Sequence, residues 1–227
     1  MTTAVTTAPA RVLSTHQTEA RISPADVSLW AGVASMAAGG LIVVSQIANL
    51  VVGLTMGPDS TTTVVHTLKN GLALLAMYAL LLALTGLYAA QANAAGKLGL
   101  LGYLVALLGT LLVAGDWWFE SFVVPLLATA APEIMKTAPG GSLLAGAIAT
   151  FGIFSAGWVL FGIATFRANV FSRRAAVLMI IGGVVGILAL SSPYQVPLAV
   201  AVGWIGYSTY KAARGSSAVR SGERYAR

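Results

Sequence analysis

Residues 98–120 read LGLLGYLVALLGTLLVAGDWWFE. No charge falls between Lys97 and Asp116, and a run of that length, close to the roughly 20 apolar residues a helix needs to cross a bilayer, reads as a membrane span. Its leucines, alanines and glycines do not alternate with polar residues, as the strands of a membrane β-barrel would. The run ends on two carboxylates, Asp116 and Glu120, with Trp117, Trp118 and Phe119 between them. Residues four apart lie on one face of a helix. Ionisable groups at membrane depth are expensive and therefore mark candidate functional sites.

The same texture extends over most of the 227 residues. The chain is 57% hydrophobic and 9% charged, with a mean hydropathy of +0.84. A soluble domain carries about 25% charged residues. Six apolar stretches emerge, at about 27–54, 64–90, 98–118, 143–166, 175–190 and 195–210, with Ser191-Ser192-Pro193 breaking the chain between the last two. The expected fold is an all-α integral membrane protein, a bundle of six transmembrane helices. Residues 1–26 read as a flexible N-tail, 27–211 as the membrane domain and 212–227 as a basic C-tail. The segment 121–131 is open. It could extend the third helix past Pro125, lie on the surface or dip back as a re-entrant piece.

Charge sets the orientation. Eleven of the thirteen basic residues fall in the tails and in the loops after the second and fourth spans; only Lys69 and Lys136 fall on the other side. The positive-inside rule then puts both termini in the cytoplasm of a multi-pass cell-membrane protein, and an even number of spans agrees. The net charge of +6 follows from these loops, so nucleic acid is not the implied partner. The lipid bilayer is. The N-terminal stretch lacks the charged start, apolar core and cleavage site of a secretory signal. With no cysteine, disulfides, thiolate chemistry and cysteine-ligated metals are excluded.

In this orientation Asp116 lies near the outer edge of the hydrocarbon core. His66 and Lys69 start the second span from the same side, and Tyr194 and Gln195 lie at the turn into the sixth. Gln46 and Asn49 are helical neighbours in the first span. Asp116 and Glu120 read as catalytic, and Trp117, Trp118, Phe119, His66, Gln46, Asn49 and Tyr194 as substrate-binding. His66 could join the carboxylates as a metal ligand or proton relay, but His16 is the only other histidine, so no metal or haem is implied. No cofactor fingerprint, phosphate loop or Asp-x-x-Asp pair is present, which argues against diphosphate ionisation. The pairs Gly53/Gly57 and Gly182/Gly186 have the spacing of close helix contacts, within one bundle or in a homo-oligomer.

A carboxyl group among aromatic rings suits general-acid work, because desolvation disfavours the anion. Aromatic faces stabilise a developing cation. Together these would protonate an alkene or epoxide of a hydrophobic isoprenoid and guide its cyclisation. This chemistry is similar to that of the integral-membrane terpene cyclases, which use intramembrane carboxylates in small helical bundles. The resemblance implies a protonation-initiated cyclisation with Asp116 and Glu120 as acid and partner. Two other readings stay open. A small transporter, exporter or immunity protein would use the carboxylates for a proton or a cation. An accessory subunit would need the tryptophans only as an interfacial belt, with Lys69 pairing Asp116 or Glu120. A transporter would also need a polar path through the inner half.

Overall fold

The computed structural model describes residues 24–137, 140–187 and 194–225, all helices and short connections. Helix α1 spans Pro24–Thr55, and a 3-10 helix, Gly57–Thr62, follows it. Helix α2 spans Val64–Ala130, α3 Pro132–Lys136, α4 Gly141–Ala168, α5 Arg173–Gly186 and α6 Val196–Tyr225. Among the described residues three helices are long and apolar enough to cross a membrane: Asp26–Thr55, Val64–Ala130 and Gly141–Ala168. This suggests a membrane protein.

The second and third apolar stretches are joined without a loop. At Gly96 the backbone takes φ 55°, ψ −148°, and the helix breaks there into arms 64–95 and 97–130. That conformation is essentially restricted to glycine. The loop expected around Lys97 is therefore a one-residue hinge between two helices. The open question at 121–131 is answered as well: the second arm continues as helix through Pro125 to Ala130. At about 1.5 Å per residue it rises roughly 50 Å, far more than a hydrocarbon core of about 30 Å.

The segment 212–227, expected as a tail, is helical as far as Tyr225, since α6 meets no proline after Pro197. Helix α1 begins at Pro24, so it takes in the last residues of the expected N-tail. The rest of that tail, like Ser191-Ser192-Pro193, lies outside the described residues.

Helix α1 packs on α2 and α6, α2 on α4, α4 on α5, and α5 on α6. Small residues set these contacts. A Cβ on Gly39 would strike Ala199 and Gly203, and one on Gly206 would strike Ser35, Gly32 and Met36. Gly102 lies against Phe161, Gly157 against Ala106, and Gly109 against Phe154. Between lipid-soluble helices, close packing of this kind supplies much of the association energy. Gly53 and Gly57 do not take part: a Cβ on either would meet nothing within 4 Å. Gly182 meets Leu198, and Gly186 meets the Phe154 ring, both inside the bundle.

The core is dry. Ile42, Met77, Leu84, Phe154, Trp158 and Phe161 are each under 2% exposed. Trp158 packs edge-on to Phe161, and its Nε1 donates to Thr110 Oγ1 at 3.1 Å. The exterior is apolar too: Trp30, Leu54, Leu82 and Ile148 are among many large side chains left exposed. An apolar surface of that extent fits lipid contact rather than water.

Candidate functional site

One stripe of α2 leads to the carboxylates. Gly102, Ala106, Gly109, Val113, Asp116 and Glu120 follow one another at steps of three or four, so they lie on one helix face. The first three pack on α4 at Phe161, Gly157 and Phe154. Extending this antiparallel register brings Asp116 level with Ala147 and Glu120 level with Leu143. There every residue of α4 from Gly141 to Ala149 is exposed except Ala147, which is half-buried. The two carboxylates thus lie on the face that packs against α4 lower down, level with the exposed start of that helix.

They are held differently. Asp116 is half-buried and, among the described residues, has no hydrogen bond or ion pair. Glu120 belongs to a network. His66 Nε2 lies 3.0 Å from the backbone oxygen of Glu120 and 3.7 Å from its Oε2. Asn70 Nδ2 lies 3.0 Å from the same His66 nitrogen and 3.4 Å from the Glu120 backbone oxygen. Lys69 Nζ donates at 2.8 Å to both Asn70 Oδ1 and Asn49 Oδ1. Asn49 in turn donates to Ser45 O at 3.0 Å. The network joins α1 and both arms of α2. His66 and Asn70 are buried, at 6% and 1% exposure, and His66 Nδ1 and Trp117 Nε1 have no hydrogen-bond partner among the described residues.

Of the sequence-predicted residues, Asn49, His66 and Glu120 come together in this network, and Asp116 lies one turn from Glu120. Gln46 is buried and donates to Gln195 Oε1 at 3.2 Å, tying α1 to the residue before α6. Tyr194 is 38% exposed. The three rings between the carboxylates do not close around them. Trp117 packs against the core, whereas Trp118 and Phe119 are exposed and Trp118 tilts onto Phe122. Lys69 makes no ion pair with either carboxylate; its partners are the two asparagine amides. Among the described residues no group of three or more metal-ligating side chains gathers.

Asn70 escaped the sequence reading, although the pair His66/Asn70 on one face of an apolar helix was a usable signal. A separate cleft of about 530 Å³ lies beyond this end of the bundle, between the 3-10 helix, the end of α2 and α3. Asp59, Thr62, Ala128 and Lys136 are among its lining residues, and the carboxylates are not.

The Lys69–Asn49 bond should carry measurable stability. Residues in one hydrogen-bonded network couple by about 0.5–3 kcal/mol. The cycle of Asn49→Ala, Lys69→Met and the double variant, followed by denaturant unfolding in detergent, should return a coupling of about 1 kcal/mol. Strictly additive losses would mean that the contact contributes nothing.

No family model, curated protein or solved structure matches this chain.

Proposed function

We propose that the chain is a six-span membrane protein with both termini cytoplasmic, and that Asp116 and Glu120 form an acid–base site at its outer end. The site acts on a hydrophobic, isoprenoid-like substrate by protonation-initiated cyclisation. Asp116 is the proton donor, and Glu120, anchored through His66, is its partner. The observation that carries this reading is the exposure of the first turns of α4, at the level of the carboxylates. Residues 141–149 bear no charge. A greasy substrate can therefore approach Asp116 sideways from the outer leaflet, without crossing water.

The interior weighs against transport. A through-path needs polar groups at every depth. Here Met77, Leu80, Leu84, Phe154 and Trp158 fill the middle of the bundle at under 2% exposure. The polar pair Gln91–Thr165, at 2.9 Å, lies beyond them near the Gly96 end. The polar network is one-sided, as an enzyme open to one leaflet requires.

Two experiments test the parts separately. The chain has no cysteine, so single substitutions report topology directly. Thr62 and Asn169 are both exposed, at opposite ends of the bundle. Thr62→Cys should react with a membrane-impermeant maleimide on intact cells, and Asn169→Cys only after lysis; the reverse pattern would overturn the orientation. For the chemistry, lipid extracts of hosts expressing the wild type, Asp116→Asn and Glu120→Gln are compared by mass spectrometry with polyprenyl substrates supplied. A cyclised product confined to the wild type supports the enzyme. Identical extracts at equal protein levels would sink it.

A further inference from the structure

The opposite end of the bundle carries a charge pattern that the proposed chemistry does not use. No acidic residue occurs between Glu133 and Glu223. Within that stretch the turn from α4 to α5 holds Arg167, Arg173 and Arg174, all exposed. Among the described residues none of the three makes an ion pair. Asp26, the described acid at this end, opens α1, which packs on α2 and α6. Three like charges so close repel one another, and an anion beside them relieves the repulsion.

The turn is held in place. Asn169 closes α4 in the left-handed conformation, φ 53°, and its N–H donates to Thr165 O at 3.2 Å. Its side-chain oxygen accepts from Arg173 Nε at 3.0 Å. The Arg173 guanidinium lies 5.5 Å from the centre of the Phe166 ring. Phe171 packs against the core. Among the described residues these contacts occupy only Nε of Arg173. Its two Nη groups present a fixed fork, which matches two oxygens of a phosphate.

Depth identifies the source of that phosphate. From Ala147, level with Asp116, to Phe166 the helix rises roughly 28 Å at about 1.5 Å per residue. A hydrocarbon core is about 30 Å thick. With Asp116 near one edge of it, Phe166 reaches the other, and the three arginines fall in the headgroup layer. Phe166 and Val170, 38% and 46% exposed, set apolar surface beside them. That surface suits acyl chains and does nothing for a soluble anion.

We propose that the α4–α5 turn is a docking surface for anionic phospholipid. Arg173 takes the lipid phosphate, and Arg167 and Arg174 supply the surrounding positive field. This rests on the membrane reading and not on the cyclisation proposed for the other end.

Native mass spectrometry of the whole chain in detergent, titrated with phosphatidylglycerol or zwitterionic phosphatidylcholine, tests it without turnover and in either orientation. Phosphatidylglycerol should be retained preferentially. Each arginine contributes about fivefold in affinity. The combined Arg167→Gln, Arg173→Gln and Arg174→Gln variant should therefore hold the two lipids alike. Lys97→Gln with Lys211→Gln, which removes charge elsewhere at the same end, should keep the preference. A triple variant that still prefers phosphatidylglycerol, or a lysine variant that loses the preference as fully, would overturn the site. Arg173→Lys keeps the charge but not the fork, and should weaken phosphatidylglycerol binding severalfold. Unchanged binding would overturn the role given to Arg173, and this single variant carries the test if the triple one does not fold. Millimolar inorganic phosphate should leave the lipid in place. Displacement would make the turn a site for soluble anions and overturn the lipid assignment.

Discussion

Gly157→Leu should leave almost no folded protein. A Cβ at Gly157 would run into the backbone nitrogen and Cα of Ala106 and the carbonyl carbon of Val105. Overpacking costs about 1–3 kcal/mol where neighbouring side chains can shift. Here the neighbour is the backbone of another helix, so relief requires the helices to separate. The same seam holds Gly102 against Phe161 and Gly109 against Phe154, so separation would open the whole contact of α2 with α4. Gly152→Leu is the matched control, one helix with the same change in size. Nothing lies within 4 Å of its Cβ position, so wild-type recovery is expected. Size-exclusion profiles and melting curves in detergent check both. A Gly157→Leu protein that elutes and melts like the wild type would show that the helices do not touch there.

The apolar runs were legible in the sequence because length and freedom from charge suffice to identify them. The break at Gly96 was not. Gln91-Ala-Asn-Ala-Ala-Gly-Lys97 looks like a polar loop, yet its alanines continue the helix and one glycine makes the whole turn. Glycine spacing misled in a similar way. Gly53 and Gly57 match the pattern of close helix contact but face open space, and Gly57 leaves the helix altogether at φ 54°. The contacts that matter, Gly39 with Gly203 and Gly157 with Ala106, depend on which face meets which neighbour. A single sequence does not state that.

At the site, the shared face of Asp116 and Glu120 was readable from their spacing. The aromatic wall was not a consequence of the same spacing. Successive helical residues point about 100° apart, so three in a row cannot line one pocket. Trp117 turns inward while Trp118 and Phe119 turn out. Asn70 became visible only through its partners, because its role depends on Lys69 and His66 being oriented by other helices.

Asp116→Asn should lower product formation by about 10²–10⁴-fold, the usual contribution of a general acid, while leaving the melting temperature near the wild-type value. Both halves follow from the geometry. Asparagine keeps the shape of the side chain but cannot deliver the proton. Asp116 makes no hydrogen bond or ion pair among the described residues, so its replacement by the same-shaped asparagine breaks no polar contact. Glu120→Gln should act differently. The close contacts of Glu120 with His66 and Asn70 run through its backbone oxygen, which the substitution leaves in place. Its side chain approaches His66 only to 3.7 Å. The network should survive, and turnover should fall less than in Asp116→Asn. Product yield and melting temperature, measured on the same preparations, separate the roles. Equal losses in both variants would mean that the carboxylates work as one unit. A larger loss in Glu120→Gln would transfer the proton-donor role to Glu120 and leave Asp116 as the charge that tunes it.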